Sequence, residues 1–260
     1  MIHTLDDSWR DVLHARFRGQ PTPLLVMPDA LWTAASLWAG TRAWTKAFRA
    51  MGVGAGEVVM CTLPAGPAFV QVLLACLWDG MTFAPHSLSN DTSTPDAAFA
   101  RARIVIAPDG HSFNGQTPVL VPDAASQPPM SLPVLMSANE IEAGVSIRAV
   151  DDETGIASCW SASSLLTLTH SIAAEQRMSG ACVLSVLPWQ RPAELIGAAL
   201  APLLHAEELL VAGDASLETA LRLSREHPIT HVGLDAATAS AWSAHAEGRS
   251  LLDRLVVRRS

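Results

Sequence analysis

From Leu31 to Gly52 the chain reads LWTAASLWAGTRAWTKAFRAMG. Ala34, Leu37, Thr41, Trp44, Phe48 and Met51 recur at alternating intervals of three and four, which puts them on one face and predicts a long amphipathic helix. Thr33 is placed to cap its start and Gly52 to end it. The period then changes. EVVMCTL, residues 57 to 63, reads as a strand, and PAFVQVLLACLWDG as a helix with Pro67 in its first turn and Gly80 at its stop. MTFAP is the next strand, residues 86 to 100 a polar loop leading into a short helix, and RIVIAP and TPVLVP two more short strands.

Residues 123 to 150 are Pro- and Ser-rich at their start, DAASQPPMSLP, and read as a connection. The alternation then resumes. GIASCW is a strand, and after a short Ser-rich turn a helix runs over residues 170 to 178. ACVLSVLP, EELLVAG, ITHVGL and RLVVRR follow as strands, separated by the helical stretches PAELIGAALAPLL, SLETALRLSREH and AATASAWSAHAEG. Strands alternating with helices predict an α/β fold with mostly parallel sheet flanked by helices. The expected organisation is a first lobe over 1–122, the connection over 123–150 and a second lobe over 151–260.

Composition narrows the function classes. Hydrophobic residues make up 49% and charged residues 16% of 260, which specifies a globular chain. A net charge of -8 argues against a nucleic-acid surface and against an anionic membrane patch. No apolar run is long enough to span a bilayer, and MIHTLDDSWRD lacks the basic-then-apolar order of a signal peptide, so a cytoplasmic protein is expected. Cys61, Cys76, Cys159 and Cys182 each lie in an apolar segment without C-x-x-C spacing and read as buried free thiols. His227 and His231 are separated by Pro228 and share no helical face, so no metal is expected there. Asp151 and Asp152 read as a solvated pair before a strand. The glycines of MGVGAGEVV follow a helix and precede a strand. A dinucleotide fingerprint needs the reverse order, so they are a helix stop and a turn.

The stretch from Ala47, AFRAMGVGAGEVVMCTLPAGPAFVQVLLACLWDGMTFAP, resembles the N-terminal region of the adenylate-forming enzymes: acyl- and aryl-CoA synthetases, peptide-synthetase adenylation domains and luciferases. Gly52, Gly56, Glu57, Pro64, Gly80 and Pro85 fall where that family's pattern has them. LTH at 168 to 170, VLPWQRPAELIGAALAPLLHAEELLV and ITHVGLDAATASAW extend the resemblance over nearly the whole chain. It implies two α/β lobes like the family's N-terminal subdomains.

The family carries a Gly-rich phosphate loop ending in lysine and glycine just before its Thr-His pair. Glycine lets backbone amides close around phosphate, and lysine adds charge. Here the matching stretch is WSASSLL, Trp160 to Leu166, with neither residue type. The resemblance marks Trp160, Ser161, Ser163, Ser164, Thr169 and His170 as a remnant nucleotide loop, and Trp189 as the gate of a substrate pocket. His170 otherwise begins a helix, and Trp160 otherwise packs into the core. The chain ends before the family's adenine-binding segment, its acidic ribose-binding residue and its C-terminal domain with a catalytic lysine.

Two functions follow from the resemblance. One is a non-catalytic relative with no cofactor, a structural or regulatory partner in an acyl or aryl acid pathway. The other is an AMP-forming carboxylic acid ligase, which would need ATP and magnesium and machinery completed by another chain. The non-catalytic reading implies an acyl carrier protein or a full-length relative as partner. A mean hydropathy of +0.25 adds the expectation of a homo-oligomer, most simply a dimer, built on residues 180 to 260.

Overall fold

The structure is a computed structural model and describes residues 9–18, 22–86, 102–108, 119–123, 126–130, 132, 144–150, 157–213 and 216–259. The polar loop and short helix expected from residue 87 onward, and Asp151 and Asp152, lie outside the described residues. The chain divides into two compact units. One comprises Met1–Gly19 and Ala35–Ser164, the other Gln20–Ala34 and Leu165–Ser260.

The first unit holds a six-stranded sheet in the order β6-β5-β3-β4-β7-β8. Its strands are β3 (Val58–Cys61), β4 (Thr82–Pro85), β5 (Ala102–Ile106), β6 (Val119–Leu120), β7 (Ile147–Val150) and β8 (Ala157–Trp160). All neighbours are parallel except β7 and β8, which form an antiparallel edge pair. The helices are α1 (Trp9–Phe17), most of α2 (Ala34–Ala50) and α3 (Pro67–Asp79).

In α2 the predicted face is the buried one: Ala34, Leu37, Thr41, Trp44, Phe48 and Met51 are all in the core. α3 is apolar but for Gln71 over Phe69–Leu77 and has no exposed face there, as expected of a helix covered on every side. Pro67 opens it. Gly80 closes it at φ 72°, a left-handed conformation that glycine takes without a Cβ penalty, and its N–H reaches the Cys76 carbonyl.

Glu57, at the start of β3, is buried. Its Oε2 accepts from the Gly54 N–H at 2.8 Å, and its Oε1 lies 3.1 Å from Arg103 Nε. The Arg103 N–H is not aimed along that line, so the second contact is an ion pair and not a hydrogen bond. On α3 the fully buried Gln71 carboxamide has no hydrogen-bond partner among the described residues, and it sits against Gly40 of α2. A Cβ at residue 40 would come within 2.2 Å of it.

The second unit holds another six-stranded sheet, in the order β12-β11-β9-β10-β1-β2. β9 (Cys182–Ser185), β10 (Glu208–Val211), β11 (His231–Leu234), β12 (Val256–Arg259) and β1 (Pro23–Met27) are parallel, and β2 (Ala30–Thr33) adds an antiparallel edge. The ladders put Leu184, Leu210, Val232 and Leu234 on one core face. There they meet Ala220 and Leu223 of a helix over Leu217–Glu226, Trp242 of one over Ala236–Ser243, and Leu251 of one over Ala246–Leu252. The stretch AATASAWSAHAEG is thus two short helices and not one. Gly233 faces the opposite side, where its Cβ position is 3.4 Å from Ala198 Cβ.

Ala198 belongs to the helix over 192–205. That helix is built from Pro192–Glu194, a π-helical turn Leu195–Leu200, and Ala201–His205. Pro202 gives the turn a cause. Proline has no N–H to donate and crowds the carbonyl four residues back. The chain widens just before it, so that the Ala201 N–H bonds to the Ile196 carbonyl, five residues back.

Candidate functional site

The sequence-predicted remnant loop is one residue long. β8 ends at Trp160, and α4 (Ala162–Glu175) begins two residues later, so only Ser161 lies between them. The helix expected at 170 starts eight residues earlier, and Ser163, Ser164, Thr169 and His170 all ride on it. Ser161 caps it: its Oγ accepts from the Ser164 N–H at 3.2 Å, satisfying an amide that the first helical turn leaves without an intrahelical carbonyl. Ser161 Oγ also lies 3.1 Å from Ser163 Oγ and 2.9 Å from Ser164 Oγ. The Trp9 indole N–H donates to the Ala162 carbonyl at 2.9 Å and ties α1 to this turn.

Trp160 neither fills a loop nor joins the core completely. It is the half-buried last residue of the edge strand, opposite Ile147. Cys159 beside it is exposed, which corrects the reading of four buried thiols. Cys61, Cys76 and Cys182 are buried as expected.

Thr169 is fully buried and returns its hydroxyl to the Leu166 carbonyl at 3.0 Å. His170 lies within the helix and not at its start. Its ring is 4.8 Å from that of His205, within the second unit.

The second unit has its own candidate place, given by topology. From β9 the crossover helix leads to β10 on one side. From β11 the helices lead to β12 on the other. Connections that diverge from adjacent parallel strands leave a crevice at the strands' carboxyl ends, where open α/β sheets bind ligands. Ser185 and Leu234 are the last residues of those strands. Trp189 follows Ser185 and is fully buried, and its Nε1–H donates to Ser185 Oγ at 2.9 Å. Asp235 follows Leu234 and caps the next helix, its Oδ1 accepting from the Thr238 N–H at 2.7 Å. That bond holds the Asp235 carboxyl below the usual carboxylate range, with a smaller contribution from the charge of Arg191.

Segment 160–166 does not fit a polyphosphate. It has no cationic side chain, it has no glycine to let the backbone approach, and its hydroxyls are engaged with one another and with the helix amide. Among the described residues no three His, Cys, Asp or Glu side chains are placed to hold a metal ion, and no helix is long and apolar enough to cross a membrane.

The fold is that of the N-terminal subdomains of adenylate-forming enzymes. Among solved structures, VinN in complex with 3-methylaspartate superposes with a TM-score of 0.75 at 16% identity, covering 96% of this chain and 77% of that one. O-succinylbenzoate CoA synthetase (MenE) from Bacillus subtilis gives 0.74 at 14% identity, over 88% of this chain and 49% of that one. Apo MatB from Rhodopseudomonas palustris gives 0.74 at 14%, over 92% and 52%. The chain therefore spans about half the length of the MenE and MatB chains. No protein-family model matches the sequence, and no curated protein matches it.

Proposed function

We propose that this protein is a non-catalytic relative of the adenylate-forming enzymes that works as a structural or regulatory partner, without ATP or magnesium, in a pathway that handles acyl or aryl acids. The observation that carries the reading is the Ser161 joint. Strand passes to helix through one residue, and the three serine hydroxyls there are occupied locally. Phosphoryl chemistry rests on positioning and charge stabilisation, and segment 160–166 supplies no charge and no open cradle. Calorimetry with magnesium-ATP should show no binding at micromolar concentrations. Pyrophosphate exchange should stay at background with 3-methylaspartate, L-aspartate and O-succinylbenzoate. Micromolar ATP binding, or exchange that depends on one of these acids, overturns the reading.

One observation favours the alternative, an AMP-forming carboxylic acid ligase completed by another chain. The crevice between β9 and β11 lies where sheets of this kind hold ligands, with Trp189 beside it. The same exchange assay separates the two readings.

As partners we propose an acyl carrier protein or a full-length relative, and a second copy of this chain. Val256 on the outer strand β12 and Leu31 on the outer strand β2 are exposed, which supports association through this sheet. Sedimentation at micromolar concentration should give a dimer, and a clean 27.5 kDa monomer excludes the second copy. A cytoplasmic location is part of the proposal.

A further inference from the structure

We draw no further inference here: the strongest candidate, the Cys182–Glu208–His227 cluster at the amino-terminal edge of the second sheet, sets a thiol and an imidazole 3.7 and 3.4 Å from one carboxylate oxygen, and with no three such side chains among the described residues placed to hold a metal ion it carries nothing beyond the hydrogen bonding of a buried thiol.

Discussion

The two sheets have the same plan and treat their polar groups differently. Each has six strands, parallel but for one antiparallel edge pair. In the first unit the buried Gln71 carboxamide finds no hydrogen-bond partner among the described residues, and the buried Glu57–Arg103 contact is an ion pair without a well-aimed hydrogen bond. In the second, the buried Trp189 and His231 side chains are both bonded. Trp189 donates to Ser185. His231 Nε2 meets the Gln176 carbonyl at 2.6 Å, and beside it the exposed Thr230 exchanges bonds through Oγ1 with the Cys182 backbone at 3.1 Å. A shared architecture thus leaves open how well its interior is satisfied. An unmet buried polar group costs about 1–3 kcal/mol, as much as many side-chain contacts contribute.

That contrast can be tested at its strongest point first. Trp189→Ala removes a fully buried indole and strands the Ser185 hydroxyl, so denaturant unfolding should show a loss of about 3–5 kcal/mol. A loss under about 1 kcal/mol would mean that Trp189 is a movable gate and not a core residue.

Alkaline titration tests the thiols of both units. Burial pushes Cys61 and Cys182 up to about 12 and Cys76 well above its ordinary value; the Glu208 carboxylate adds to the effect at Cys182. These folded-state values lie above the unfolded one, so the stabilisation is complete below the unfolded thiol's pKa and is lost as pH rises. Stability should therefore fall as pH rises above about 9, because the unfolded thiols ionise there while the folded ones keep their protons. Thiol labelling of the native protein at neutral pH should reach only Cys159, the exposed one. Labelling of two or more thiols at similar rates would contradict the burial.

The smallest expected effect is a gain. Gln71→Met keeps the length of the side chain and removes the unpartnered carboxamide against Gly40, and should stabilise the first unit by about 1–3 kcal/mol. A loss would reveal a polar partner for Gln71, and the contrast between the units would narrow.

Much of the fold was legible because period and burial coincide. The three-four spacing of α2 and the apolar runs of β3, β4, β5, β9, β10 and β11 each lie where the pattern put them. The hairpin of β1 and β2 was missed because Leu31 to Thr33 run directly into α2, and a helical period absorbed them. α1 is short and rich in charge, and β7 follows a Pro- and Ser-rich stretch that reads as connection.

The site was the least legible part. SASS has the composition of a turn, but a serine three residues before another amide donor is equally a helix cap, and Ser161 takes that role. Nothing in the local sequence decides between the two. The outcome depends on what α4 can bury, and Leu165, Leu166, Thr169 and Ala173 form its inner face.

The π-helical turn before Pro202 also sets a phase. An α-helix advances about 100° per residue, so one extra residue within a turn rotates everything after it by roughly that angle relative to an unbroken helix. Ala201–His205 therefore point where an uninterrupted helix would have aimed their neighbours, and the azimuth of His205 toward His170 is inherited from a widening several residues upstream. Shortening the Leu195–Leu200 segment by one residue would turn the whole last segment about its axis without altering a single side chain in it.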